Sequence, residues 1–315
     1  LQGLLDGGAY LALVAGSDPL AGAGWLSMSP PEAVIRFGGL PTSKALWTWL
    51  AEHPEVPQIV VEPAGWRDPT GSASLVVRGD AGATAAGLAK IATGDHDEWR
   101  SAWRAADAKA QSVIDEILVD APALTEPAVA RMLTRHGAGV FGVGSSMPIR
   151  DIDAFGVSTE RPVRYVANRG ASGIDGTISM TLGAIAASGS PGVALVGDVA
   201  ALHDLTAIAT ASRLDLPATI VVVHNDGGGI FHLLPQADAT PHDLFEKLFG
   251  TPHGTDFVSV ARAFGVAADR VTTAVGLETV LADEPPHARV IEVPTDRVTN
   301  AELHRAIVSQ VARVL

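Results

Sequence analysis

The sequence contains no cysteine. That excludes a disulfide framework and any thiolate-bound metal. Aromatic residues are few, 5% against 47% for all hydrophobic residues. Ala, Val and Gly dominate instead, which suits close-packed layers of helix and sheet. Positive charge is also short. Lys and Arg number 22 against 35 Asp and Glu, a net charge of −13. This argues against a nucleic-acid partner and leaves no basic surface for a membrane. The first residue is Leu, and no basic stretch followed by an apolar block stands at the start, so no signal peptide is visible. A cytoplasmic protein is the expectation. From Gly176 to Gly197 there is no charged residue, about the length a bilayer needs. Ser-Gly-Ser-Pro-Gly at 188–192 interrupts it, so this stretch reads as a helix, a turn and a buried strand. The ten histidines show no HExxH and no paired ligand spacing, so none is assigned to a metal. His203 and His253 are expected at the surface.

A chain of 315 residues is long enough for two domains with their own cores. Residues 1–95 read as an incomplete α/β layer domain. Strands are expected at 32–39, 58–63 and 73–80, and a helix at 42–53. The segment "AGSDPLAGAGW" reads as a loop. A long amphipathic helix follows, with Trp99, Trp103, Ala106, Val113, Ile114 and Ile117 at helical spacing and the tryptophans as packing anchors. From 122 onward short apolar strands alternate with helices. Strands are expected at 139–144, 163–168, 193–198, 218–225 and 288–293. Helices fall between them and at the end, at 124–137 behind an N-cap Thr125, at 173–188 and at 201–214. Thr299 and Glu302 have capping-box spacing for the closing helix. Such strands predict a parallel sheet covered on both faces, a doubly wound α/β domain over 96–315.

In open α/β sheets ligands bind beyond the carboxyl ends of the strands. Here those ends read "GVGSSMPIRD", "ANRGASGID", "VGDVAALHD" and "HNDGGGIF", the composition of a site. Asp198 and Asn225 each close an apolar strand, and 26 residues lie between them, one helix plus one strand. Their side chains can sit on adjacent strand ends. With the carbonyl of Gly227 they form a hard-oxygen set suited to Mg²⁺, which could bridge to a diphosphate. Three consecutive glycines, 227–229, lose more conformational freedom on folding than other residues. They would let the backbone approach that ligand closely and offer N–H donors. Taken singly, "GD" and "NDGGG" are also ordinary turn signals.

The pattern Gly-Asp, 26 residues, Asn resembles the thiamine-diphosphate motif, with Val199 and Asp226 as departures from it. The longer runs "VGSSMPIRDID", "ANRGASGIDGTIS", "NDGGGIFHLLPQ" and "FEKLFGTPHGTDF" resemble the MenD family, the 2-succinyl-5-enolpyruvyl-6-hydroxy-3-cyclohexene-1-carboxylate synthases of menaquinone biosynthesis. "VIRFGGLPTSKALWTWL" and "GWRDP" are similar to that family's central domain. His224 stands where the family more often has Asn. The resemblance spans 32–315 and implies a partial central domain over 1–95 and a diphosphate-binding domain over 96–315.

The resemblance further implies a transferase that uses thiamine diphosphate and Mg²⁺, with Mn²⁺ as an alternative. It would decarboxylate 2-oxoglutarate and add the succinyl semialdehyde carbanion to isochorismate. The cofactor would contact Gly173, Ile174, Gly197, Asp198, Val199, Asn225, Gly227, Gly228, Ile230 and Leu234. Periodicity alone would make Ile174 helix core. Ser146 and Arg150 would hold the succinyl carboxylate, and Arg169 and Lys44 would help hold isochorismate. Lys44 also reads as a helix-surface lysine, and Arg161 and Arg164 as solvated charges. Ile230, Phe231 and Leu234 would wall the site against water. A homodimer or homotetramer is implied for the full-length enzyme. The glutamate that activates the cofactor belongs, in such enzymes, to a separate pyrimidine-binding domain, and none of the glutamates here takes that role. The chain thus reads as the C-terminal portion of a synthase, inactive alone. Open alternatives are a non-catalytic remnant that binds Mg²⁺ and diphosphate, and a relative of the acetolactate synthases.

Overall fold

Three short parallel strands, β1 (Val34–Phe37), β2 (Gln58–Val61) and β3 (Leu75–Val77), form the sheet of an N-terminal unit. The computed structural model describes residues 17–39, 41–91, 97–137, 139–159, 161–168 and 173–315. It forms two compact units, Leu1–Glu116 with Ile307–Leu315, and Ile117–Ala306. In the first, two short helices, α1 (Ser17–Gly22) and α2 (Trp25–Met28), precede β1. The stretch expected to be a loop is therefore largely helical. Pro19 sits in the first turn of α1, where its missing N–H costs nothing, and Leu20 is fully buried. Helix α3 (Lys44–Glu52) starts where Ser43 Oγ accepts the Leu46 N–H at 3.1 Å. A buried ion pair, Arg36–Asp68 at 3.0 Å, fastens β1 to the turn that follows β2. Helix α4 (Ala81–Ile91) was not expected, because its Ala- and Gly-rich sequence has no apolar stripe to read. Helix α5 (Asp97–Val119) buries Trp103, Ala106, Ala110 and Ile114 along one face. The Trp99 and Trp103 rings pack 5.5 Å apart.

The second unit is built on a six-stranded, wholly parallel sheet. Helix α6 (Glu126–His136) leads into β4 (Val140–Val143), then α7 (Met147–Phe155) and β5 (Arg164–Ala167). Helix α8 (Thr177–Ser188), β6 (Gly192–Gly197), α9 (Asp198–His203), α10 (Thr206–Leu214) and β7 (Ala218–His224) follow. Short turns at α11 (Gln236–Ala239) and α12 (His242–Phe245) give way to α13 (Phe257–Ala263) and β8 (Ala267–Arg270). Helix α14 (Ala274–Ala282), β9 (Arg289–Pro294) and α15 (Arg297–Val314) complete the chain. The strand order is β5-β4-β6-β7-β9-β8. Alternate strand residues feed two separate cores. Val140, Ala194, Val196, Ile220, Val222 and Val290 pack with α8, α10 and α13. Phe141, Val143, Leu195, Val221, Val223, Ile291 and Val293 pack with α6 and α14. Both faces are covered, as the unbroken apolar strands predict, and the fold is a doubly wound α/β domain.

Three local expectations are corrected. The helix read over 201–214 begins at Asp198 and is two helices. Its break falls at Asp204, whose carboxylate is turned toward α8 and accepts the Ser179 N–H and hydroxyl, both at 2.7 Å. Strand β8 was not foreseen, since "AADR" is short and polar. The closing helix begins at Arg297, so Thr299 is inside it, and Asp296 Oδ1 accepts the Thr299 N–H at 2.7 Å. Among the described residues no helix is long and apolar enough to cross a membrane.

Candidate functional site

The chain passes from β4 outward to β5 and then back across β4 to β6, so the sheet reverses direction between β4 and β6. A crevice opens at the carboxyl ends of strands at such a point. A cleft of about 230 Å³ lies there. Ser146 lines it beyond β4, Gly197, Asp198 and Val199 beyond β6, and Asn225, Gly227 and Gly228 beyond β7. Ile174, Ile230 and Phe231 supply apolar wall.

Gly197 pairs with Val223 across β6 and β7, which puts Asp198 and Asn225 on neighbouring strand ends. Asp198 is buried. Its Oδ1 accepts the Val199 N–H at 2.7 Å and its Oδ2 the Gly227 N–H at 2.9 Å. Asn225 donates through Nδ2 to Glu126 Oε1 at 2.8 Å. Its own Oδ1 is shielded from solvent and has no hydrogen-bond partner. A buried acceptor without a donor is costly and invites a cation. The donor set, a carboxylate beside an amide oxygen, suits a hard divalent ion such as Mg²⁺.

Glu126 is the residue that the sequence reading missed. It is the first residue of α6, behind the Thr125 cap, and looks there like an ordinary N-terminal helix acid. It is buried and lines the cleft, and it also accepts the Thr295 hydroxyl at 3.1 Å from beyond β9. Burial, and then the neighbouring Asp151 carboxylate, push its carboxyl up to about 7. The bonds from Asn225 and Thr295 and the charge of His304 oppose that rise. Asp151 is itself buried and raised by burial, against the pull of His304 Nε2 at 3.0 Å.

Two of the three glycines are required by the fold itself. A Cβ on Gly227 would stand 1.8 Å from the Gly250 carbonyl oxygen, and one on Gly228 would stand 2.2 Å from that of Phe249. The backbone that approaches them is the chain's own 249–250 segment, and Gly228 N–H donates to the Gly250 carbonyl at 2.8 Å. That segment brings Leu248, Phe249 and Thr251 into the cleft wall. Asp226, where the motif has a second Asn, adopts φ 58° and clamps the same region. Its Oδ1 accepts the N–H groups of His253 and Gly254 at 2.9 and 2.8 Å. Burial raises its pKa, but those two donors and the His253 and His224 rings hold it below the usual carboxylate range.

His253, expected at the surface, is half-buried, with Nε2 3.4 Å from Asp198 Oδ2. Its ring stacks on His224, centroids 5.4 Å apart. Asp198, His224 and His253 bring ligand-type atoms within 4.8 Å of one another. However, His253 Nδ1 accepts the Thr255 N–H at 3.1 Å. Its Nε2 therefore carries the proton and offers Asp198 a donor, not a lone pair to a metal. His224 Nδ1 contacts the buried Glu292 at 2.9 Å. His203 is exposed, paired with Asp175.

Of the remaining expected residues, Ser146 caps α7 with φ 72°. Arg150 lies on that helix, just past the strand-end turn; it is exposed and donates to the Ser146 carbonyl. Gly173, at φ 73°, lies against Ser145, and Leu234 ends the 3₁₀ turn Gly229–Leu233. Lys44 is the exposed first residue of α3 in the N-terminal unit. Arg169 lies outside the described residues. Arg161 and Arg164 are exposed.

Comparison with known proteins agrees with this geometry. Residues 151–293 match the family described as thiamine pyrophosphate enzyme, C-terminal TPP binding domain. A 2-succinyl-5-enolpyruvyl-6-hydroxy-3-cyclohexene-1-carboxylate synthase of Myxococcus xanthus is 40% identical over 290 residues, 90% of this chain and 49% of that protein. The proteins of that name in Geobacillus kaustophilus and Halobacterium salinarum are 39% and 40% identical, over 90% and 84% of this chain and 49% and 46% of theirs. Fold, strand-end site and family match together place this chain in the class that carries the C-terminal TPP-binding domain of thiamine pyrophosphate enzymes. Within that class it belongs to the 2-succinyl-5-enolpyruvyl-6-hydroxy-3-cyclohexene-1-carboxylate synthase family. The chain spans about half the length of the curated relatives it matches.

Proposed function

We propose that this chain holds thiamine diphosphate through Mg²⁺ at the carboxyl ends of β6 and β7, as part of a synthase that joins 2-oxoglutarate-derived succinyl semialdehyde to isochorismate. The observation that carries this reading is the pairing of the buried Asp198 carboxylate with the unpartnered Asn225 Oδ1 on adjacent strand ends. Asp198, Asn225 and the Gly227 carbonyl would ligate the cation, and Mn²⁺ would serve in place of Mg²⁺. The cofactor supplies the acyl-anion chemistry when bound; the protein binds, orients and excludes water.

In this reading Ile174 supports the cofactor, and Ile230, Phe231 and Leu234 keep water from the reacting carbon. Gly173, Gly197, Val199 and Gly228 let the backbone close on it. Ser146 and Arg150 hold the succinyl carboxylate, and Arg169 holds isochorismate, guanidinium groups being suited to carboxylates. The 315 residues bind cofactor, and turnover requires a pyrimidine-binding domain, within a homodimer or homotetramer of the whole enzyme.

Titration calorimetry of the chain with thiamine diphosphate, with and without Mg²⁺, tests the binding half. Heat that appears only with Mg²⁺ is the expected result; no binding in either case overturns it. Adding 2-oxoglutarate and isochorismate tests the second half. Product formed by the 315-residue chain alone would overturn the need for a further domain.

A further inference from the structure

Resting on that reading of the cation site, we propose that Glu126 is a positioning residue that decides which end of the Asn225 amide faces Asp198. A carboxamide is nearly symmetric in shape but not in chemistry: one end accepts and the other donates. Only the oxygen can ligate a cation. Nothing in Asn225 itself chooses between the two orientations; its neighbours do. Glu126 Oε1 lies 2.8 Å from Asn225 Nδ2 and so occupies the donor end. Thr295 donates its hydroxyl to the same Oε1 at 3.1 Å and fixes the carboxyl from the far side. Glu126 is itself buried and sits on the first turn of a helix anchored by the Thr125 cap, so it moves little. The outcome is an Asn225 Oδ1 that is buried, unpartnered and turned away from Glu126.

Turning the amide over would place its NH₂ toward the cation and its oxygen against the carboxyl of Glu126. That exchanges an attractive ion–dipole contact for a repulsive one at the metal. Groups that orient a metal ligand in this way typically carry roughly 10- to 100-fold of metal affinity. Glu126 reaches the site from α6, across 99 residues of sequence, and touches neither diphosphate nor substrate in this scheme.

The test uses the full 315-residue chain with thiamine diphosphate, and Mn²⁺ as the probe, with free Mn²⁺ read by electron paramagnetic resonance. Glu126→Leu removes the acceptor and should weaken Mn²⁺ binding about 10- to 100-fold. Glu126→Gln retains an acceptor for Asn225 Nδ2 and should stay within about twofold. The diagnostic arm is the double variant Glu126→Leu with Asn225→Asp. A carboxylate presents an oxygen whichever way it turns, so Mn²⁺ affinity should return to within about threefold of the original. A purely structural loss would not be repaired by changing Asn225.

Unchanged affinity in Glu126→Leu overturns the proposal, as does a double variant no better than the single. Should Glu126→Leu fail to fold by circular dichroism, Glu126→Gln decides. A tenfold loss there would mean that the charge, not the orientation, is what matters. No Mn²⁺ binding by the unaltered chain overturns the cation site itself; that outcome is distinct, because it appears before any substitution.

Discussion

Two clefts of equal volume, about 230 Å³ each, lie at opposite ends of the six-stranded sheet. One is at the carboxyl ends of the strands and is the candidate site. The other, at the amino ends, is lined by His136, Gly137, Arg161, Pro191, Thr219 and Arg289 among others. It has charge as well, yet its arginines are already engaged. Arg289 donates to Thr219 Oγ1 at 2.9 Å and to the Asp283 carbonyl at 2.7 Å, and Arg161 to the His136 carbonyl at 2.6 Å. At the carboxyl end a buried amide oxygen has no donor and a buried acid is pushed up to about 7. Volume and charge do not separate the two ends. Unsatisfied polar chemistry held in place by the fold does.

The sharpest way to break that contrast is to substitute one residue at each end. Asp198→Ala should abolish Mg²⁺-dependent binding of thiamine diphosphate by calorimetry. Arg289→Ala, at the amino end, should leave that affinity within about twofold, since a site without unmet partners has little to lose. Equal losses from the two would erase the distinction between the ends.

Gly227→Ala comes next. The new Cβ would overlap the Gly250 carbonyl, at 1.8 Å, and the residue sits at φ 136°. Overpacking of that kind costs roughly 1–3 kcal/mol, with the strain of a positive φ added. A thermal melt should show the drop, and cofactor affinity should fall with it because the 249–251 wall must move. An unchanged melting temperature would show that this wall yields freely.

What could be read in the sequence, and what could not, follows the same line. Asp198 and Asn225 were legible as neighbours because each closes an apolar strand at one βαβ spacing. The parallel sheet was legible because buried strands are apolar throughout. Glu126 was not, since its partner is 99 residues away and its local signal is that of a helix start. Nor was the crowding at 227–228 by 249–250, nor the depth of His253, since both depend on how a loop returns to the sheet. Helix α4 and strand β8 failed for a simpler reason: one is Ala and Gly without a stripe, the other short and polar.

A pH series sharpens the contrast further. Glu126 rises from 4.5 to about 7 in the fold, burial being the main cause. The folded chain thus keeps a proton that the unfolded chain releases between those two values. Stability is greatest below the lower value and declines as pH rises through the higher one, by roughly 1–3 kcal/mol for the metal-free chain. Glu126→Gln should flatten that part of the urea-unfolding profile, and a decline that persists would assign it to another group.

The smallest expected effect comes from a helix that, among the described residues, reaches both clefts. Helix α6 puts Glu126 into the site at its first residue and Leu133, His136 and Gly137 into the amino-end cleft at its last turn. Thr125 Oγ1 accepts the Ala128 N–H at 3.3 Å, and Thr125→Ala should cost about 1 kcal/mol. Gly137→Ala should cost at least as much, roughly 1–3 kcal/mol, because Gly137 sits at φ 63° and ψ 156°, a region essentially reserved for glycine. The second variant is thus no less destabilising than the first, and the two loosen opposite ends of the helix. Fraying the first turn frees the carboxyl that holds Asn225, so Thr125→Ala should weaken Mn²⁺ binding about two- to fivefold, a fraction of the roughly tenfold carried by an orienting group. Gly137→Ala frays the other end and should leave that affinity unchanged. Equal effects of the two on Mn²⁺ binding would mean that the site responds to overall stability and not to the placement of Glu126.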